Sequence, residues 1–233
     1  MARTKRMRSG KMKKYRANTR QYKMRKLIRK AMYKRCMGLK PEVKHVYTSG
    51  NADIKTCNST VALTNGQYFN LTSLLWPSLG TTDSQRIGDT ITVKKIWMKI
   101  TLENDASPTA NIFRVIIFNQ PGGYSNIGGN FFRQNTDQQT IKGIVEREQY
   151  NVLYDRSFAC VTAVTGQRRV LKPININISR FYRKPITFIN GTQTLKNPVQ
   201  ELYYAVIGYE PAVTTNGTTI GYFNFSAALY YTD

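Results

Sequence analysis

The chain has 233 residues, and its 35 Lys and Arg residues against 13 Asp and Glu residues give a formal net charge of +22. No apolar run approaches the roughly 18 residues of a membrane-spanning helix, and no apolar segment follows the basic start, so neither a membrane span nor a secretory signal peptide is expected. The three cysteines, Cys36, Cys57 and Cys160, form no CxxC pair, so neither a zinc site nor a disulfide framework is supported, and a reducing compartment is expected.

Positive charge is concentrated at the start of the chain. Residues 1–44 hold eighteen Lys or Arg and one Glu, a net charge of +17, which leaves +5 for the other 189 residues. Such a segment repels itself and has few apolar residues, so it needs a polyanion, and nucleic acid is the favoured one. A membrane surface is the lesser candidate, because Tyr and Met rather than Trp, Phe and Leu accompany the basic residues. The side chains expected to bind nucleic acid by charge are Arg3, Lys5, Arg6, Arg8, Lys11, Lys13, Lys14, Arg16, Arg20, Lys23, Arg25, Lys26, Arg29, Lys30, Lys34 and Arg35, and those that could stack on unpaired bases are Tyr15, Tyr22 and Tyr33.

A helix is predicted at about residues 19–37 of this arm. Apolar residues follow the spacing of one helical face, and Gly38 marks the end of the helix. Lys26, Lys30 and Lys34 are spaced four apart, so each neighbouring pair repels by a few tenths of a kcal/mol in the isolated helix. We therefore expect a helix that becomes stable when it binds nucleic acid or packs against the inner face of its own assembly. A permanently disordered nucleic-acid tail and a nuclear-localisation signal alone are the alternatives. The apolar face consists of Met24, Leu27, Ile28, Ala31 and Met32.

The body of the chain, residues 45–233, is predicted to be all-β. It is rich in Thr, Asn, Tyr, Ile, Val and Phe, which favour strands and turns. The longest connection, residues 120–149, could hold a short helix near residues 140–146. Eight strands with long irregular connections indicate an antiparallel two-sheet sandwich, and the commonest eight-stranded version is a single jelly roll. The eight strands are predicted at residues 60–72, 88–103, 110–119, 150–161, 168–178, 185–190, 201–210 and 218–231.

Nothing in the sequence indicates an enzyme, a resident metal or a cofactor. The only histidine, His45, is expected to lie solvated in the linker between arm and body, which leaves no second ligand for a metal cluster. Asp155 has a basic neighbour and is expected to form a structural ion pair. Glu146 and Glu148 are expected on a solvated face rather than as an acid and base pair.

Two features of the sequence bear on contacts between subunits. Phe131 and Phe132 lie in the long connection, and bulky aromatic side chains on a loop are rarely left in water. They are expected to be buried either against a neighbouring subunit or beneath the loop of their own subunit. Asp105, beside Asn104, could supply oxygen to a calcium ion at a subunit contact.

Four segments, taken in order along the chain, resemble capsid proteins of very small icosahedral viruses. After the basic arm, Arg86-Ile87-Gly88-Asp89 opens a long strand. It is followed by FRVIIF at residues 113–118, YNVLYDRSF at residues 150–158 and ALYYTD at residues 228–233. Two groups share these features. They are the plant satellite viruses with single-stranded RNA, typified by satellite tobacco necrosis virus, and the circovirus-like viruses with circular single-stranded DNA.

The resemblance implies a single eight-stranded jelly roll assembled as a shell of sixty copies, with the basic arm facing inward. The partners it implies are other copies of the chain and a single-stranded genome, with DNA favoured over RNA. The basic residues of the arm add host nuclear import machinery as a partner to be tested, and the identity of a host receptor is unknown. The location it implies is the virion, with assembly in the host nucleus or cytoplasm. The alternative outside this family is a cellular nucleic-acid-binding protein with a basic tail, of the ribosomal type.

Overall fold

The computed structural model describes residues 23–27, 42–57, 62–64, 66–105, 111–121, 127–133, 143–161, 168–210, 215 and 217–233. From residue 43 onward these residues form nine strands, one short α-helix and two turns of 3-10 helix. The strands are β1 (Lys44–Thr56), β2 (Tyr68–Asn70), β3 (Thr90–Asn104), β4 (Asn111–Asn119), β5 (Asn151–Cys160), β6 (Ile174–Asn177), β7 (Ile186–Thr187), β8 (Tyr203–Tyr209) and β9 (Thr219–Thr232), the α-helix is α1 (Leu71–Leu75), and the 3-10 turns are Ser179–Phe181 and Pro198–Gln200.

Eight of the nine strands form two four-stranded antiparallel sheets. The first sheet has the order β1-β9-β3-β6 and the second has the order β2-β8-β4-β5. The sheets join at one corner, where Lys55 and Thr56 pair in parallel with Ile207 and Gly208. Strand β7 adds a two-residue pairing at the start of β3. This strand order is that of a jelly roll, and it confirms the predicted all-β, eight-stranded fold.

Alternating side chains build the core between the two sheets. On β3, Ile96, Met98 and Ile100 are buried while Lys99 points outward, as the two-residue period of a strand requires. Burying these apolar side chains removes them from water and supplies the main stabilising free energy of the sandwich. The other sheet contributes the inward side chains of β4, such as Val115, to the same cluster.

A second apolar cluster covers the outer face of the second sheet. Alternate side chains of β4 point away from the first core, and Ile116 and Phe118 among them are fully buried. Phe131 packs on Phe118 with ring centroids 4.6 Å apart, and Phe132 packs on Phe131 at 5.0 Å. The Tyr150 hydroxyl donates to the carbonyl oxygen of Gly129 at 2.6 Å and ties the covering segment together.

The location of Phe131 and Phe132 corrects one of the two expectations for these residues. They are 0% and 2% exposed within their own subunit, so they present no surface to a neighbouring copy. The physical reason is that β4 is apolar on both faces, and its outer face must be covered by the subunit's own chain. Burial beneath the loop, the other expectation, is what the structure shows.

Several strand boundaries differ from the prediction. Among the described residues of the strand predicted at 60–72, only β2 is extended in a sheet, while residues 60, 61 and 65 lie outside the described residues. Strand β2 ends at Asn70, because its side chain caps helix α1 by accepting from the backbone N–H of Ser73 at 3.0 Å. The strand predicted at 168–178 is reduced to β6, and the one at 185–190 to β7. Strand β1 was not predicted at all. Residues 143–146 of the predicted short helix are not helical, since Val145 pairs with Phe132 in an isolated bridge, and residues 140–142 lie outside the described residues.

Replacing Phe131 and Phe132 together by Ser should destabilise the fold. Each substitution removes a buried ring, and large-to-small changes at such sites cost about 3 kcal/mol or more. We expect urea denaturation of the full chain to show a clearly lower midpoint for the double variant. The control is Val161→Ser, because Val161 is 53% exposed and should shift the midpoint little. An unchanged midpoint in the double variant would contradict the burial of these rings.

Candidate nucleic-acid interface

The structure describes only a short piece of the basic arm. Residues 23–27, which lie inside the helix predicted at 19–37, are helical, and all five side chains are exposed, including Met24 at 57% and Leu27 at 66%. The rest of that helix lies outside the described residues, so its extent stays a prediction. Also outside the described residues are Arg3, Lys5, Arg6, Arg8, Lys11, Lys13, Lys14, Arg16, Arg20, Arg29, Lys30, Lys34, Arg35, the tyrosines Tyr15, Tyr22 and Tyr33, and Cys36.

The outer face of the first sheet carries aromatic and basic side chains in rows across β1, β9 and β3. In the row nearest the start of β1, Tyr230 lies between His45 and Lys95. In the next row, Ala228 lies between Tyr47 and Trp97. The row after that places Ser226 between Ser49 and Lys99. We call these three rows the aromatic face, and the row of Tyr47 and Trp97 also includes Asn177 of β6.

Ring contacts hold part of the aromatic face in place. The Tyr47 and Tyr230 hydroxyl oxygens are 2.7 Å apart, and their rings meet edge to face with centroids 6.1 Å apart. The His45 ring lies 4.9 Å from the Tyr47 ring, and the Lys95 ammonium lies 6.0 Å from the centroid of the Tyr230 ring. The hydrogen bond with Tyr230 raises the pKa of Tyr47 above its usual value, so Tyr47 brings no negative charge to this surface at neutral pH.

The opposite end of the same sheet face carries carboxylates. There, Tyr222 lies between Asp53 and Glu103. The Arg168 guanidinium lies 5.1 Å from the Tyr222 ring centroid and 3.8 Å from a Glu103 carboxylate oxygen. The face therefore has a basic, aromatic end near the start of β1 and an end with carboxylates.

His45 corrects an expectation from the sequence. It lies in β1, paired with Tyr230, and not in a linker, although its side chain is exposed as expected. Sequence reasoning missed the aromatic face because it missed β1. The signal was present in the alternation of polar His45, Ser49 and Asn51 with less polar neighbours, but Gly and Asn in the segment weaken it.

Arg86, the first residue of the segment Arg86-Ile87-Gly88-Asp89, has a structural role. It is fully buried, and its guanidinium donates to the carbonyl of Gly88, to the Asp89 carboxylate at 2.9 Å and to the Thr192 carbonyl at 2.6 Å. The guanidinium also lies 4.3 Å from the centroid of the Phe188 ring. A buried guanidinium is tolerated when it is hydrogen-bonded in this way. These contacts join the start of β3 to the turn after β7.

Asp155 forms the ion pair expected of it. The Arg114 guanidinium binds both carboxylate oxygens at 2.8 and 2.7 Å, in the two-pronged geometry typical of Arg. Arg114 also donates to the carbonyl of Gly143 at 2.7 Å, so it fastens the covering segment to β4. Glu146 accepts from Arg133 at 3.2 Å, which is a surface contact and not an acid and base pair.

Other candidate sites in the described part of the chain are structural. The Asn104 side chain is fully buried and accepts from the backbone N–H of Arg169 at 2.5 Å, which is a structural contact, and a calcium ion at Asp105 stays a prediction. Cys57 and Cys160 are both buried, and burial raises the pKa of the Cys160 thiol. No group of three His, Cys, Asp or Glu residues that could hold a metal occurs in the described ranges, and none of the helices described there is long and apolar enough to cross a membrane.

Comparison with known proteins gives only distant likenesses. No known protein family matches the chain, and no curated protein matches it. The structure of Desmodium yellow mottle tymovirus is 11% identical with a TM-score of 0.36, over 82% of this chain and 88% of that one. The infectious bursal disease virus VP2 subviral particle is 9% identical with a TM-score of 0.31, over 83% and 33% of the two chains. Turnip yellow mosaic virus is 10% identical with a TM-score of 0.27, over 82% and 94%. With TM-scores below 0.5, these likenesses do not assign a function.

The Asp89 carboxylate should make stability depend on pH. The hydrogen bond from Arg86, supported by the N–H of Gly191, lowers the pKa of Asp89 below its ordinary value of 3.8. A carboxylate with a lowered pKa in the folded state stabilises the fold above the unfolded pKa, and this contribution is lost as the pH falls through the folded pKa. We expect Asp89→Asn to lower the free energy of unfolding at about pH 6. The difference in this free energy between the variant and the unchanged chain should become smaller towards about pH 3. A difference that stays constant over this range would contradict the assignment.

The helix in the arm should depend on a polyanion. A peptide of residues 18–38 should be weakly helical in dilute buffer, because its lysines repel, and should gain helix when a single-stranded oligonucleotide screens them. Circular dichroism measures the gain. A peptide with Leu27→Pro keeps the charge and should bind without gaining helix. Binding of the unchanged peptide with no increase in helical signal would show that the arm binds as an extended tail.

Proposed function

We propose that this chain is the coat protein of a small icosahedral virus, which assembles with copies of itself and holds a single-stranded genome through its basic arm. One observation carries the proposal. A net charge of +17 lies in residues 1–44, while a jelly-roll body with a net charge of only +5 follows. An ordinary nucleic-acid-binding protein of the ribosomal type would be expected to carry its basic residues over the folded body as well.

The size of the charge suits a viral genome. In a shell of sixty copies, the arms would bring roughly a thousand positive charges inside, enough to neutralise on the order of a thousand phosphates. The genome that we favour is circular single-stranded DNA, with single-stranded RNA of a satellite virus as the alternative. Binding by the arm depends on charge and not on base reading, because contacts to phosphates carry no sequence information. The role is structural, not enzymatic.

The free edges of the sandwich support self-assembly. Strand β5 lies at one end of the second sheet and β6 at one end of the first, and each has one edge with no strand partner among the described residues. An open groove of about 660 Å³ lies between them, lined in part by Tyr154, Phe158 and Leu171. An unpaired strand edge with nearby apolar side chains is a surface that another chain can cover. The proposed contacts between copies therefore include this edge.

The arm also has a proposed role before assembly. Clusters of Lys and Arg in residues 1–35 have the composition of a nuclear-localisation signal. Host nuclear import machinery is thus a proposed partner of the free subunit, and the virion is its proposed final location. The same residues would serve both purposes in turn, since packaging would hide them from an import receptor.

Removing residues 1–40 should separate folding from packaging. The truncated chain keeps every strand of the described residues, so we expect it to remain folded, while the nucleic acid recovered from purified particles should fall to a background level. The matched control has residues 2–17 in scrambled order, which keeps the charge and should still package. Size-exclusion chromatography, electron microscopy and nuclease digestion of disrupted particles give the readouts. Normal packaging by the truncated chain would contradict the role of the arm, and a full-length chain that remains a small soluble species would favour a cellular nucleic-acid-binding protein.

A further inference from the structure

We propose that the aromatic face of the first sheet binds unpaired bases of a single-stranded nucleic acid, with bases stacking on Tyr47 and Trp97 and with Lys95 and Lys99 contacting phosphates. This inference rests on the proposed function, because it names a second contact between the body of the chain and its genome. It assigns a role to a surface that the basic arm does not include.

The first support is the exposure of the rings. The Tyr47 side chain is 59% exposed, and Trp97 is partly exposed on the same sheet face. Both side chains point away from the core, since Ile96 and Met98, which flank Trp97, are buried. A four-stranded antiparallel sheet that presents aromatic rings to solvent is a common platform for unpaired bases, because every base has a face that can stack on a ring.

The second support is the spacing of the rings. Tyr47 and Trp97 belong to one row, with Ala228 between them. Two strand spacings separate their backbones by about 10 Å, a distance that one or two nucleotides of an extended strand can span. Ala228 has a single methyl group, so no bulky side chain from β9 stands between the two rings. The Tyr47 ring is also braced by its contact with Tyr230, which reduces the entropy lost on stacking.

The third support is charge. The three rows of the aromatic face contain Lys95 and Lys99 and no carboxylate. The carboxylates of Asp53 and Glu103 lie together in the row at the other end of the sheet. A strand of phosphates is therefore favoured at the aromatic end and disfavoured at the other end. Chain connectivity agrees, because β1 begins at Lys44, immediately after the segment that carries most of the positive charge.

Tryptophan fluorescence of the full chain gives a direct test. The chain has two tryptophans, and the other, Trp76, is 4% exposed and packs against Tyr182 and Phe188 with ring centroids 5.5 and 5.8 Å away. An oligothymidylate should quench the emission of Trp97 by stacking and leave that of Trp76 unchanged. We expect quenching of the unchanged chain and none of the Trp97→Phe variant, although this variant still binds the oligonucleotide through its arm.

Affinity measurements separate stacking from charge. Tyr47→Ala should weaken binding of the oligonucleotide by about fivefold or more, with an unchanged dependence on salt. Replacing Lys95 and Lys99 by Gln should lower the slope of log affinity against log salt by about 1.4, since each phosphate contact to a single strand contributes about 0.7. The matched control replaces the exposed Lys184 and Lys196, which lie off this face, by Gln, and should leave the slope unchanged. Circular dichroism checks that each variant is folded.

The outcomes distinguish this inference from the proposed function. Tight binding of the oligonucleotide with no quenching of Trp97 would overturn the aromatic face as a binding surface and leave the role of the arm intact. Emission that changes with protein concentration and does not respond to the oligonucleotide would also overturn it, and would show that a second copy of the chain covers this face. A full chain that binds no single-stranded nucleic acid and forms no particles would overturn the proposed function itself.

Discussion

Strand β9 pairs along nearly its whole length with β1 on one side and with β3 on the other, and the first sheet depends on this double pairing. Both partners, β1 and β3, come from the first part of the body, more than 100 residues before β9, so the sheet is complete only when β9 lies between them. An ion pair closes the arrangement, because the Lys44 ammonium lies 2.9 Å from a carboxylate oxygen of Asp233 and also donates to the carbonyl of Gln85 at 2.8 Å. Pairings of such large sequence separation must overcome loop-closure entropy, so we expect the first sheet to form late and cooperatively.

The two sheets differ in what they present on their outer faces. Strand β4 of the second sheet is apolar on both sides, and its outer face is covered by Phe131, Phe132 and Tyr150 of the same chain. Arg114 fastens this cover through Asp155 and the covering segment. Among the described residues no such segment covers the first sheet, and its outer face carries polar and aromatic side chains. The difference follows from the strand sequences, because β4 has the apolar residues Ile116 and Phe118 at outward positions, whereas β3 has Lys95 and Lys99 there.

The sequence predicted the fold where a strand has a strong two-residue period, and it failed where other forces decide. Strands β3, β4, β5, β8 and β9 were predicted within about two residues, because β-branched and aromatic side chains alternate there or are continuously apolar. Strand β1 was missed because Gly50, Asn51 and Asp53 are poor strand formers, and its pairing with β9 overrides that local preference. Helix α1 depends on a side-chain cap at Asn70. The buried contacts of Arg86 could not be predicted either, since most of its partners are backbone carbonyls whose positions only the fold determines.

Charge and stacking act over different distances, and in the proposed function they belong to different parts of the chain, the basic arm and the aromatic face. In the proposed function, the charge of the arm would act over roughly the Debye length, about 8 Å at physiological salt, and would attract any polyanion regardless of sequence or strandedness. Stacking requires direct contact between a ring and an unpaired base, so Tyr47 and Trp97 would favour single-stranded over double-stranded nucleic acid, which the arm alone cannot do. In the sequence, the basic segment ends at Lys44, which is also the first residue of strand β1 and whose ammonium is held by Asp233. An arm that gathers nucleic acid and a sheet face that selects unpaired bases would therefore act in sequence on the same strand.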